Sequence, residues 1–132
     1  MTDSSYAPGI CNINSAEVAY RRRAMWLGIV TSIVVFIALA LLRADWWLAI
    51  VGLFIPVYTA CISYLQVRNR FCVAYGASGL QNANEGIHSA SDVPDDESRR
   101  KDLRKTWRMN AQALGMTIGA LAVCVLIFVY VL

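Results

Sequence analysis

Three uncharged apolar runs constrain this chain more than any other feature. They are "AMWLGIVTSIVVFIALALL" at 24–42, "WWLAIVGLFIPVYTACISYLQ" at 46–66 and "AQALGMTIGALAVCVLIFVYVL" at 111–132. Each has about the 20 residues that a helix needs to cross a hydrocarbon layer of ~30 Å. Within lipid every backbone N–H and C=O must be satisfied inside its own segment. Three segments are too few to close a barrel, so the runs are expected to be helices. Composition agrees: 58% of the residues are hydrophobic and 16% charged, against about 25% charged in soluble domains. The reading is an all-α membrane protein with three transmembrane helices. A tail at 1–14 precedes a single membrane domain at 15–132, with a polar loop and helix at 67–110. The first run is longer than the roughly 7–15 apolar residues of a cleaved signal. A retained span is therefore expected, although "YRRRAMWLG" has some likeness to a twin-arginine export signal.

The basic residues set the expected orientation. Arg21, Arg22 and Arg23 precede the first run, and Arg68 and Arg70 follow the second. Arg99, Arg100, Lys101, Arg104, Lys105 and Arg108 precede the third, and Arg43 alone lies on the other side. The positive-inside rule then puts the N-terminus and the 67–110 segment in the cytoplasm and the C-terminus outside. The expected location is a bacterial inner membrane, crossed several times. The outer face would hold only the turn at "RADWW" and the last residues, too little for a receptor or an outer catalytic domain. Trp46 and Trp47 suit the headgroup level.

Outside the spans the helix signals are local. Asn14 and Glu17 form a capping-box pattern that starts a helix near Ser15. Glu17 and Arg21, four apart, are expected to pair on its surface for a few tenths of a kcal/mol. The second helix, kinked at Pro56, is expected to continue through "VRNRFCVAY", with Tyr64, Arg68, Cys72 and Tyr75 on one stripe. Gly76 and Gly79 then end it. Residues 76–93 are a Gly/Ser/Asn-rich linker holding the single histidine, His88. In "SDVPDDES", Asp92 is the expected cap and Pro94 sits in the first turn, with Asp95, Asp96 and Glu97 complementing the helix dipole. The third helix would then run to the end of the chain.

The spans hold no Asp, Glu, Lys, Arg or His, the groups on which ion pathways and proton relays usually depend. There is no Ser–His–Asp set and no phosphate-cradling glycine loop. No catalytic residue is assigned, an enzyme is not expected, and no cofactor is expected. Small residues do recur at helical spacing: Ala24, Gly28 and Ser32; Gly52, Pro56 and Ala60; Ala111, Gly115 and Gly119. Lipid offers no hydrophobic reason for helices to associate, so close backbone approach must supply one. Gly28, Ser32, Gly52, Ala60, Gly115 and Gly119 are the candidate packing positions.

The stretch "RRKDLRKTWR" has two readings. One is topology and solvation, with Asp96–Arg100 and Glu97–Lys101 pairing internally. The other is a surface for anionic lipid or a partner, made by Arg99, Arg100, Lys101, Arg104, Lys105 and Arg108. A juxtamembrane cation is worth about 1 kcal/mol against anionic lipid. Nucleic acid is not expected, because Trp107 is the only aromatic there and suits the membrane interface.

Cys61 and Cys124 lie in spans, where cysteine acts as a small hydrophobe. Cys11 and Cys72 lie outside them, at depths that would let them face each other. A stable cytosolic disulfide is disfavoured. Zinc usually takes four ligands with two close in sequence, whereas Cys11, Cys72 and His88 supply three without a Cys-x-x-Cys. A transient redox pair is the other chemical option, and plain packing is the third. Around these cysteines, "CNINSAEVAYRRR" and "YLQVRNRFCVAYGASGLQN" resemble an uncharacterised family of small bacterial membrane proteins. Its pattern is Cys-Asn-Ile, a Glu shortly after, paired arginines, then Leu-Gln and Phe-Cys. The two stretches cover about a third of the chain, and the resemblance implies no activity.

The expected role is an accessory or scaffold subunit of a larger membrane complex. It would bind other integral membrane subunits through Gly115 and Gly119, and a partner or anionic lipid through the basic helix. The first alternative is a small thiol-redox or metal-binding protein using Cys11 and Cys72. The second is a homo-oligomeric transporter or channel, for which only Thr31, Ser32, Thr59, Ser63, Gln112 and Thr117 offer a polar lining.

Overall fold

The computed structural model describes residues 6–83, 86–87 and 89–132. The elements in order are α1 (Ser15–Leu41), α2 (Trp46–Asn69), α3 (Val73–Ser78), β1 (Leu80–Gln81), β2 (Ser91–Asp92) and α4 (Asp96–Tyr130). Three of them, α1, α2 and α4, are long and apolar enough to cross a membrane. Most of their side chains face outward: in the most apolar stretch of α1 only 6% of residues are buried by the rest of the chain.

α2 sits between α1 and α4 and runs antiparallel to both. The α1–α2 contact is close because glycine makes it so. A Cβ on Gly28 would stand 2.8 Å from the Ala60 nitrogen, and one on Gly52 would stand 3.3 Å from Leu39 Cδ1. Ser32 turns its hydroxyl onto the Gly28 carbonyl at 2.7 Å. Four of the expected packing positions, Gly28, Ser32, Gly52 and Ala60, therefore lie at or beside a helix seam within this chain. Near the α1–α2 turn, Ala49, Leu53, Leu121 and Phe128 form one core cluster. The rings of Phe36 and Phe128 meet edge-on there at 5.3 Å. At the polar end Ile62, Leu65, Phe71, Met109 and Ala113 form a second cluster.

The polar end departs from the sequence reading in two places. α2 stops at Asn69 rather than continuing to Tyr75. Arg70 takes a left-handed conformation (φ +50°), and the Phe71 N–H donates to the Gln66 carbonyl at 3.1 Å. The turn costs a non-glycine residue roughly 1–2 kcal/mol. It lets Phe71 bury completely against Met109 and Ala113 of α4, and burying a Phe gains about 1.5–3 kcal/mol. Continuing the helix would have forfeited that site. The proposed stripe is broken: Arg68 still reaches the Tyr64 hydroxyl at 3.3 Å, while Cys72 and Tyr75 turn toward the N-terminal tail.

α4 starts later than expected. Asp95 is the cap, accepting from the Ser98 N–H at 3.0 Å and from its hydroxyl at 2.7 Å. These bonds hold the Asp95 carboxyl below the usual carboxylate range. Asp92 instead pairs with Leu80 in a two-strand antiparallel sheet, and Pro94 lies before the cap. Val93 is buried, and its N–H donates to the Gly79 carbonyl at 2.9 Å. Anchoring Val93 leaves the helix to begin after Pro94. The linker expected over 76–93 thus contains the end of a short helix and a hairpin.

Candidate functional site

Beneath the helices lies a cluster of polar side chains with almost no access to solvent. Asn12, Asn14, Glu17 and Asn82 are 0% exposed, Cys72 is 2% and Arg21 8%. Buried polar groups are tolerable only when hydrogen-bonded, and the tail segment 11–14 is built to do that. The Asn12 amide donates to the Cys72 carbonyl at 3.1 Å, and its oxygen accepts from the Cys72 N–H at 2.6 Å. The Asn12 N–H donates to the Arg70 carbonyl at 3.2 Å, and its carbonyl accepts from the Asn82 N–H at 2.7 Å. Asn12 thus bonds to both sides with its main chain and its side chain. Asn14 caps α1 as expected, accepting from the Glu17 N–H at 2.9 Å. Its amide donates to the Gly86 carbonyl at 2.9 Å.

Glu17 is the centre of the cluster. It accepts from Arg21, from the Tyr75 hydroxyl at 3.1 Å and from the Asn82 amide at 2.9 Å. The Glu17–Arg21 pair, expected on the helix surface, is a buried ion pair instead. The other Arg21 nitrogen donates to Cys72 Sγ at 2.9 Å, and its guanidinium stands 5.6 Å from the centre of the Tyr75 ring. Burial works against the Arg21 charge, but the Cys72 sulfur and Glu17 outweigh it and raise the Arg21 pKa. Burial, then the hydrogen bond to Glu17 and its negative charge, also raise the Tyr75 phenol above its ordinary value.

The two cysteines are both buried and both free thiols, with different neighbours. Cys11 Sγ donates to the Ile13 carbonyl at 3.5 Å, and Cys72 Sγ accepts from Arg21. The residue of the tail that binds the Cys72 backbone is Asn12. Among the described residues no three His, Cys, Asp or Glu groups stand together as metal ligands. His88, the third residue of the expected metal set, lies outside the described residues.

A second feature ties the tail to the basic helix. Asp102 is fully buried. It accepts from the Tyr6 hydroxyl at 2.6 Å and from the Gly9 N–H at 2.7 Å. Gly9 takes a left-handed conformation (φ +69°), where a Cβ would press on Lys101 Cβ at 3.3 Å. Burial, then the bond to Asp102 and its charge, push the Tyr6 phenol well above its ordinary value. Arg99, Arg100, Lys101, Arg104 and Arg108 are exposed and Lys105 is half-buried, with its ammonium donating to Asn69 Oδ1 at 2.9 Å. Lys101 pairs with Glu97 at 3.5 Å.

The last two expected packing positions differ from the others. Among the described residues, a Cβ on Gly115 or Gly119 would meet nothing within 4 Å. Both lie on the face of α4 opposite the buried Ala113, Thr117, Leu121 and Phe128.

Sequence reading missed Asn12, Tyr75 and Asn82 as partners of Glu17 and Arg21, and Tyr6 as the partner of Asp102. The cap signal at Asn14 and the Glu17–Arg21 spacing were visible, but neither points across 60 positions of chain. Comparison with protein-family models, with curated proteins and with solved structures finds no match for this chain in any of the three.

Proposed function

We propose that this chain is an accessory or scaffold subunit of a larger membrane complex, with the tail, α3 and the basic part of α4 in the cytoplasm. The observation that carries the reading is the contrast among its glycines. Gly28, Gly52 and Gly76 are filled against neighbouring residues of the same chain, whereas Gly115 and Gly119 face open space. Helix association in lipid depends on such small residues, and here two of them are left for another helix. Ile118, Ala122 and Leu126 extend this side of α4 and line an apolar groove of about 540 Å³ with Ile50 and Phe54 of α2. The polar cluster supports the reading from the other end, since its side chains are buried and hydrogen-bonded to one another.

The test is recovery of the tagged chain from membranes in mild detergent, followed by mass spectrometry. The reading expects a stoichiometric set of integral membrane proteins, lost when Gly115 and Gly119 are both changed to isoleucine. Recovery of the chain alone in mild detergent would overturn it.

One observation favours a second reading, that of a thiol protein. Arg21 Nη2 stands 2.9 Å from Cys72 Sγ, which sets a cation directly beside this thiol. Its test is differential alkylation of Cys72 in native membranes before and after peroxide. An unaltered, fully reduced Cys72 would remove this reading.

A further inference from the structure

The cations of α4 are not spread around the helix. At 3.6 residues per turn, Lys101, Arg104, Lys105 and Arg108 fall on one face. That face continues upward into Ala111, Gly115 and Gly119. These four cations and the tail residues Pro8 and Gly9 line a groove of about 230 Å³. The tail that walls the groove also removes its negative charge from the surface. Asp102 is the single acid between Arg99 and the end of the chain. It is turned away, fully buried, and held by Tyr6 and the Gly9 N–H. Lys101 and Lys105 each have a partner, in Glu97 and Asn69. Among the described residues Arg104 and Arg108 have no ion pair, and both are exposed. Arg108 lies three residues before the uncharged run that starts at Ala111, about 4.5 Å along the helix, and Trp107 beside it is 70% exposed. That is the depth of lipid headgroups, where tryptophan is favoured.

We infer that this groove is a binding site for the phosphodiester headgroup of an anionic phospholipid, held by Arg104 and Arg108 with Lys101 and Lys105 at its edges. Guanidinium groups suit this ligand because their paired donors match phosphate oxygens. The inference rests on the membrane reading given above, but not on the existence of a protein partner. A lipid seated here has its acyl chains beside Ala111, Gly115 and Gly119, at the edge of the face left for a neighbouring helix.

The experiment is native mass spectrometry of the full chain in mild detergent, titrated with phosphatidylglycerol or with phosphatidylcholine. Adducts of phosphatidylglycerol are expected in clear excess. At about fivefold per cation, the double variant Arg104→Gln, Arg108→Gln should weaken that binding about thirtyfold. The variant Arg99→Gln, Arg100→Gln, with the same net charge but with both residues lining a separate groove against α3 and Gly79, should keep it. Equal retention of the two lipids would overturn the inference, and so would equal loss in the two double variants. Inorganic phosphate is the remaining arm. Binding of phosphate to the lipid-free protein, with lipid adducts unaffected by the Arg104 and Arg108 changes, would replace the lipid with a soluble anion. Partner recovery is not read in this assay, so its failure and the failure of the subunit reading remain distinguishable.

Discussion

Asn12 and Cys72 exchange two hydrogen bonds, amide to carbonyl at 3.1 Å and N–H to amide oxygen at 2.6 Å, across 60 positions of chain. The pairing copies one step of a β-ladder with a side chain in place of a strand. Replacing Asn12 with alanine leaves the buried Cys72 N–H without its partner, while the Cys72 carbonyl keeps the Gly76 N–H at 2.9 Å. A stranded buried donor costs about 1–3 kcal/mol, so Asn12→Ala should destabilise the fold by about that much in a denaturant titration in detergent. An unchanged midpoint would mean that the tail does not dock as described.

The Glu17–Arg21 pair should respond unequally to single and paired changes. Glu17→Ala alone strands a buried guanidinium, and breaking a buried pair costs about 3–5 kcal/mol. The double variant Glu17→Leu, Arg21→Met removes both charges and should lose clearly less than the sum of the single changes. Strict additivity would show that the two residues act independently.

Gly76 lies where α3 presses on α4. A Cβ there would collide with Thr106 Oγ1 and stand 2.8 Å from the Phe71 ring. Gly76→Ala should therefore cost about 1–3 kcal/mol from overpacking. Among the described residues the buried Thr106 Oγ1 has no hydrogen-bond partner, so Thr106→Ala should cost little by itself and should recover part of the Gly76→Ala loss. No recovery in the double variant would place the strain on Phe71 alone.

Docking of the tail on Asp102 should depend on alkaline pH. Tyr6 donates as a neutral phenol and has a raised pKa in the folded chain. A raised value stabilises the fold fully below the ordinary tyrosine pKa of about 10 and loses that contribution as pH climbs toward the folded value. Hydrogen exchange of the Gly9 N–H, corrected for its intrinsic pH dependence, should show steady protection up to about pH 9 and a fall above it. Tyr6→Phe should flatten the dependence and lower protection throughout. A profile that is the same in the Tyr6→Phe variant would assign the pH effect to another group.

The three long helices were legible because uncharged runs of this length have few alternatives, and the Asn14 cap was legible because its partner is three residues away. The end of α2 was hidden. Arg70 occupies a left-handed position where glycine would have announced a stop, and the gain from burying Phe71 comes from Met109 and Ala113, far along the chain. The start of α4 slipped by three residues because "SDVPDD" offers three acids, and only the anchoring of Val93 selects Asp95. Among the small residues, spacing alone gave Gly28 and Gly115 equal standing. The fold separates them, one pressed on Ala60 and the other open. The polar cluster was the least visible feature. Its members come from the tail, α1, the start of α3 and the connection that follows β1, and no local pattern links those four places.

The seating of the tail also orders events during synthesis. Tyr6 to Asn14 leave the ribosome well before Cys72, Asn82 and Asp102 exist. At about 5–20 residues per second, Tyr6 waits several seconds or longer for its partner 96 positions away. Until their own partners emerge the asparagines and Glu17 remain hydrated, and α1 and α2 can be inserted without them. Asn12 and Asn14 can dock once Cys72, Asn82 and Gly86 are out, whereas Tyr6 and Gly9 must wait for Asp102 of α4, so their contact closes last.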